Sequence, residues 1–295
     1  MNCLLTGASG FIGAHIKNEI DANSEINLTC LNRSLIDPKT DKVFDLILDD
    51  FKSLPKSDVI IHSAQTRHYK NFKKMAEDVF RVNVESTFKL LEQSVKNSTG
   101  HFLLISSGSV YENQNGPLLE TNSLSPSSPN GTTKYMAEQL TKLYEDRIDI
   151  CIFRIFFPYG PGQKNQLVPN LIHAIRNNTP IELCDENGLT FSPTFVGDIA
   201  RLIVKACKEK WIGTFNISGP KQTSLRDFCD LIGEQLDIIP QYTIKHYEHQ
   251  NIAANTEKLQ KYCRNFCWTS FETGIQKTLK DLTQVPNEKE NKKNQ

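Results

Sequence analysis

The sequence predicts an α/β chain built on a doubly wound parallel sheet, with a smaller unit interleaved in its second half. Three observations carry that prediction. Short apolar runs alternate with helical patterns through the first half. The runs are continuous rather than alternating, which suits strands covered on both faces. A glycine-rich turn stands between the first run and the first helical stretch.

The elements follow in order. Cys3 to Thr6 reads as a buried strand, and Phe11 to Ile20 as the helix after it. Leu28 to Leu31 is a second strand and Phe44 to Leu48 a short third. Asp58 to His62 is a fourth, with Val59, Ile60 and Ile61 in succession. A long helical pattern runs from Asn71 to Lys96, and His101 to Ser106 is a fifth strand. Gly131 to Asp146 is helical, and Ile150 to Phe156 is a sixth strand.

After Phe157 the pattern loosens, beginning with the loop signal Pro158-Tyr159-Gly160-Pro161-Gly162. Helices are expected at Gln166 to Asn177, Asp198 to Lys208 and Leu225 to Leu236. Short strands are expected at Ile181 to Cys184 and Thr214 to Ile217. The organisation that follows is a main domain over residues 1–160, to which 191–218 returns. A smaller domain takes 161–190 and 219–285. Residues 286–295 are Lys, Glu and Asn with almost nothing apolar, and are expected to be a disordered tail.

Composition narrows the partners. The 295 residues hold 34 Lys plus Arg and 34 Asp plus Glu, so no net charge favours nucleic acid or an anionic membrane. Eight cysteines are scattered with no CxxC pair, which suits free thiols in a reducing compartment. Cys263 and Cys267 have a spacing metal ligands can use, but no His or Cys cluster lies near them, and no metal is expected. No basic segment with an apolar run precedes the first strand, and no run has the length of a membrane helix. A cytoplasmic protein is the expectation.

Thr6-Gly7-Ala8-Ser9-Gly10-Phe11-Ile12-Gly13 follows the first strand and opens the first helix. Gly7 permits a tight turn, Gly10 lets the backbone approach a pyrophosphate, and Gly13 lets the helix pack on the sheet. The helix N-terminus offers unpaired N–H groups and a favourable dipole to phosphate. Strand before and helix after make this a specific signal for a dinucleotide.

The loop also opens a wider resemblance. Asp58-Val59-Ile60-Ile61-His62-Ser63-Ala64, Asn83, Ile105-Ser106-Ser107-Gly108-Ser109-Val110-Tyr111, Tyr159-Gly160-Pro161-Gly162-Gln163 and Phe195-Val196-Gly197-Asp198 follow in order. Together they resemble the extended short-chain dehydrogenase/reductase family of nucleotide-sugar epimerases, dehydratases and reductases. The resemblance implies a Rossmann-type sheet with a smaller, interleaved substrate domain, a nucleotide sugar as substrate, and a homodimer. It implies a nicotinamide cofactor held by Gly7, Ser9, Gly10, Phe11, Ile12, Asn32, Arg33, Asp49, Ala64, Gln65, Lys134 and Phe156. Asp50 competes with Asp49 for the adenine contact. The second strand ends in Leu31-Asn32-Arg33-Ser34 with no carboxylate to repel a 2′-phosphate, and Arg33 offers a cation. NADP is therefore expected ahead of NAD.

The resemblance breaks at the chemistry. The family's pattern is a Ser or Thr, with a Tyr and a Lys four apart on one helix face. Ser107 and Lys134 stand at the Ser and Lys positions, but Asn130 stands at the Tyr position. An amide is no acid or base near neutral pH. Tyr135 does not repair the pattern, because one helical step turns the side chain by about 100°. Either another residue moves the proton, or the protein is a catalytically silent NADP-binding regulatory or scaffold subunit. Arg67, His68 and Tyr69, after the fourth strand, are the candidate replacements. On the substrate side, Phe157 replaces a customary Asn and Phe191 a customary Arg. Lys164 and Arg176 are alternative sources of positive charge.

Overall fold

The computed structural model describes residues 1–22, 25–112, 114, 116–247 and 252–284. The expected tail lies outside the described residues. Five strands of the main sheet come from the first 107 residues: β1 (Asn2–Thr6), β2 (Asn27–Asn32), β3 (Asp41–Val43), β4 (Val59–His62) and β5 (His101–Ser107). Strands Asp149–Ile155 and Gly213–Ile217 complete it. Across the sheet the order is Gly213–Ile217, Asp149–Ile155, β5, β4, β1, β2, β3, and every pairing is parallel. This is the doubly wound Rossmann arrangement. The chain order reverses at β1, so a crevice opens beyond the C-terminal ends of β1 and β4.

Continuous apolar strands make sense in this setting. The pleat sends alternate residues to opposite faces, and both faces are covered. On one side Cys3, Leu5, Leu103 and Ile105 meet Ile16 and Ile20 of α1 (Phe11–Asp21). On the other, Leu4, Ile60, Phe102, Leu104 and Ile152 meet the helices that follow β4 and β5. Burying one such aliphatic side chain is worth about 1.5–3 kcal/mol.

The long helical pattern after β4 is three pieces. α2 (Phe72–Phe80) carries a non-helical Met75, a π turn spans Arg81–Glu85, and α3 is Ser86–Asn97. α4 (Pro129–Lys142) follows β5, α5 (Leu167–Arg176) follows the glycine-proline loop, and α6 (Val196–Glu209) packs beside α1. α7 (Leu225–Leu236), α8 (Glu257–Tyr262) and α9 (Phe271–Gln284) complete the helices named here.

A further core gathers Leu171 and Ile175 of α5, Phe228 and Ile232 of α7, and Ile275 of α9 around Tyr159 and Phe191. A four-stranded sheet joins the two halves of the chain, in the order Thr223–Ser224, Thr190–Phe191, Ile252–Ala254, Gly116–Leu118. Leu259 of α8 and Cys263 return to the first core of the main sheet.

The third strand is displaced from its expected place. It is Asp41–Val43, not Phe44 to Leu48. Residues 44–50 form a turn closed by Asp45 N–H to Asp49 Oδ2 at 2.7 Å and Asp49 N–H to Asp45 O at 3.0 Å. Phe44 is still buried, packed edge-on against Phe51. The apolar run was a signal of burial, not of extended backbone.

Candidate active site

The crevice end of β1 is shaped by two glycines the fold itself demands. Gly7 has φ +73°, and a Cβ there would lie 2.7 Å from backbone atoms of Ala64. A Cβ on Gly13 would lie 2.0 Å from the Gly7 carbonyl. Gly10 differs. Its φ is −82°, and a Cβ would meet only Gly7 O, at 3.1 Å. The protein's own packing nearly tolerates a side chain at Gly10, and with glycine there the backbone stays open to close approach from outside. Gly10 caps α1 without a side-chain hydrogen bond. The N–H groups of Phe11 and Ile12, in the first turn, have no acceptor within the helix. Ser9 is exposed beside them.

At the end of β2, Asn32 is 5% exposed and its Oδ1 has no hydrogen-bond partner among the described residues. A buried orphan acceptor of this kind fits an O–H or N–H brought by a ligand. Arg33 is exposed next to it. The Asp49 carboxylate accepts from Asp45 N–H in the turn, and Asp50 caps the short helix Phe51–Ser53. The end of β4 is braced internally. His62 lies between Thr6 Oγ1 at 2.7 Å and Thr87 Oγ1 at 3.0 Å, and burial pushes its pKa down to about 3. It is a neutral strut. Ala64 N–H donates to the same Thr6 hydroxyl at 3.1 Å. These features, a glycine cradle, a free helix N-terminus and an orphan acceptor, fit a dinucleotide.

Ser107 ends β5. Across from it, Ser128 caps α4, accepting from Gly131 N–H at 3.1 Å, and Pro129 takes the first helical position. Asn130 and Lys134 then share one face. Lys134 is 4% exposed and donates to Ile105 O at 2.7 Å. Burial pushes its pKa down to about 8, against the pull of Glu138 one turn away. Asn130 donates through Nδ2 to Ser109 Oγ at 3.0 Å and accepts from Gln65 Nε2 at 2.8 Å. Ser109 in turn donates to Ser107 Oγ at 2.9 Å. The structure thus joins Gln65, Asn130, Ser109 and Ser107 in one hydrogen-bonded row. At the expected place for a phenol it puts an amide that clips two loops together.

Beneath this row lies a buried ion pair. Arg154 approaches both Glu138 oxygens, at 2.7 Å from Nη2 and 3.1 Å from Nε, and also meets Tyr111 Oη at 2.5 Å. Ser106, the neighbour of Ser107, donates to Glu138. Sequence patterning gave no signal for this pair, whose partners sit on a helix and a strand.

The loop after β4 spans the crevice. Thr66 N–H donates to Asn83 Oδ1 at 3.1 Å, and Asn83 Nδ2 donates to Thr133 Oγ1 of α4 at 3.1 Å. At the loop's other end Tyr69 Oη accepts from Gln166 Nε2 at 3.2 Å, and Lys70 Nζ donates to Asn165 O at 2.6 Å. Between them Arg67 is exposed, and His68 Nδ1 lies 2.9 Å from Asp78 Oδ2.

On the substrate side the aromatic residues pack inward. Phe156, expected at the cofactor, is 2% exposed, packed over Gly108 with Val110, Tyr111 and Leu118. Its side chain supports the site from below. Phe157 adopts φ +39°, unusual for an aromatic residue. Its ring meets Phe191 edge-on at 5.2 Å. The two departures from the family pattern are therefore one contact. Lys164 and Arg176 are not brought together, since α5, about 15 Å long, separates them. Cys263 donates to Leu259 O at 2.8 Å, and Cys267 is exposed. Among the described residues no helix is long and apolar enough to cross a membrane.

Comparison with known proteins agrees with this architecture. The chain is 30% identical over 251 residues to a putative UDP-glucose 4-epimerase of Methanocaldococcus jannaschii, covering 79% of this chain and 82% of the relative. It is 29% identical over 260 residues to an uncharacterized UDP-glucose epimerase of Bacillus subtilis, covering 79% and 81%. Among solved structures it superposes on a mutant UDP-glucuronic acid 4-epimerase from Bacillus cereus, in complex with UDP-4-deoxy-4-fluoro-glucuronic acid and NAD. That match has a TM-score of 0.86 and 25% identity, over 97% of this chain and 100% of the other. Residues 3–218 match the profile of the NAD dependent epimerase/dehydratase family, and the chain belongs to that family.

Proposed function

We propose that the chain is an NAD(P)-dependent epimerase, dehydratase or reductase acting on a nucleotide sugar. The observation that carries this is the pairing of a dinucleotide cradle at the switch point with Ser107 and Lys134 beside it. Gly7, Gly10 and the first N–H groups of α1 would hold the pyrophosphate, and Asn32 and Arg33 the adenosine ribose. A nicotinamide ring supplies a hydride acceptor and donor when bound. Lys134 has three donors, one of them directed to Ile105 O, and orients ribose hydroxyls with the others. Ser107 holds the reacting oxygen of the sugar. Asn130 cannot move the proton, so the acid–base group lies elsewhere.

Within this reading Arg33 admits the 2′-phosphate of NADP, while the orphan carbonyl of Asn32 also suits the 2′-hydroxyl of NAD. A homodimer in the cytoplasm completes the reading. Phe80, Phe88, Met136 and Leu143 expose apolar surface on or beside α2, α3 and α4. The test is incubation of the NAD-loaded and NADP-loaded protein with a panel of UDP- and dTDP-sugars, products being separated by chromatography. Conversion of any sugar supports the reading and rules out a silent subunit. Bound dinucleotide with no conversion across the panel refutes it.

A further inference from the structure

The proton needs a carrier, and this inference rests on the epimerase reading just given. The loop after β4 is the place to look, because it is tied down on both sides of the crevice. Gln65 and Thr66 lean on Asn130 and, through Asn83, on Thr133 of α4. Tyr69 and Lys70 reach Gln166 and Asn165 on the substrate side. Residue 68 lies between these anchor points, on a loop at the C-terminal end of a parallel strand, where such sheets bring ligands.

Of the three candidates there, Arg67 carries a permanent cation and cannot exchange a proton. The Tyr69 hydroxyl is engaged by Gln166 and has no carboxylate beside it among the described residues. His68 is different. Its Nδ1 lies 2.9 Å from Asp78 Oδ2, and Thr66 Oγ1 donates to that same oxygen at 2.6 Å. The hydroxyl fixes the carboxylate, and the carboxylate fixes the ring with its proton on Nδ1. That leaves Nε2 as a bare acceptor. The side chain is 51% exposed, and Nε2 has no protein partner among the described residues. A base held by a third group is the general arrangement for an activated proton acceptor.

We propose that His68, oriented by Asp78, takes and returns the hydroxyl proton of the sugar in place of the missing phenol. In the oxidising half the carbinol O–H proton passes to Nε2 as the C=O bond forms, and the hydride leaves carbon with its electron pair for the nicotinamide dinucleotide. In the reducing half the hydride returns to carbon and Nε2 gives its proton back to oxygen. Atoms and electrons balance without another reactant. Asp78 is a positioning residue.

The test uses the whole 295-residue chain with NAD and UDP-glucose. His68→Asn keeps an N–H for Asp78 and removes Nε2. It should lower kcat by about 10²–10⁴-fold and leave KM and NAD affinity within about threefold. Added imidazole should restore part of the rate to His68→Ala. Nitrogen-15 NMR of the histidines gives a readout apart from activity. Native His68 should show the Nδ1–H tautomer, Asp78→Asn should lose it, and UDP-glucose added to the NAD-loaded protein should shift Nε2. Native turnover with an unchanged rate in His68→Asn overturns the proposal and leaves the epimerase reading intact. Where UDP-glucose is turned over, an Nε2 resonance that it does not move overturns the proposal as well. Bound NAD with no turnover by the native protein across the sugar panel removes the reading itself, and the proposal with it.

Discussion

Lys134→Met should remove the rise of stability with pH between ~8 and ~10.5 while weakening cofactor binding. The native ammonium is 4% exposed, and burial lowers its pKa from 10.5 to about 8. Below pH ~8 both folded and unfolded chains hold the proton, and the folded state bears the full desolvation penalty. Between pH ~8 and ~10.5 the unfolded chain binds more protons than the folded one, so native stability rises with pH. A shift of 10.5 to about 8 corresponds to roughly 3 kcal/mol. Methionine has no such penalty, but it leaves Ile105 O without the ammonium donor, a loss of about 1–3 kcal/mol. At neutral pH the two effects nearly cancel. The sensitive quantity is the difference between the two proteins across pH. Urea unfolding followed by circular dichroism should show the variant losing roughly 2–3 kcal/mol relative to native between pH ~7 and ~10. Parallel stability curves over that range would refute the argument, because they would mean that Lys134 carries its charge at no cost inside the fold.

Gly10→Val should abolish dinucleotide binding in a folded protein, since a Cβ there meets only Gly7 O at 3.1 Å, whereas Gly13→Val should fail to fold, its Cβ lying 2.0 Å from that carbonyl. Thermal melting with and without NAD checks both. Arg33→Ala should weaken NADPH roughly tenfold to a hundredfold, the worth of a charged hydrogen bond of about 1.5–3 kcal/mol, and leave NADH unchanged. Equal losses for both cofactors in a fluorescence titration would show that Arg33 does not contact the 2′-phosphate. Asn130→Tyr breaks the links to Gln65 and Ser109, and with His68 moving the proton it should not raise turnover. A gain of about 10²-fold or more would return the role to position 130.

What the sequence made legible was set by local rules. The β1 turn and α1 follow from glycine placement and periodicity, and β4 and β5 from uninterrupted apolar runs. Phe44 to Leu48 misled because a turn can bury apolar side chains as a strand does. α9 lies beyond the elements expected from the sequence, although Phe271, Ile275, Leu279 and Leu282 have helical spacing. Asn130 and Lys134 were legible because they lie one turn apart. The row from Gln65 to Ser107 was not, since its members meet only when β4, β5 and α4 are assembled. His68 was visible as a residue type in a loop. Its carboxylate partner was not, because α2 departs from helical geometry at Met75 between them.

The main sheet also sets a hazard during synthesis. Strand Asp149–Ile155 is flanked on its outer side by Gly213–Ile217, which is translated much later. At about 5–20 residues per second, the intervening stretch of roughly sixty residues takes on the order of 3–12 s to emerge. For that interval the backbone amides and carbonyls along one edge of residues 149–155 have no strand to pair with, while Phe153 and Ile155 lack their cover. A nascent chain stalled between residues 155 and 213 therefore presents an open apolar edge. That form of the protein is the one most prone to pair strand to strand with another copy of itself.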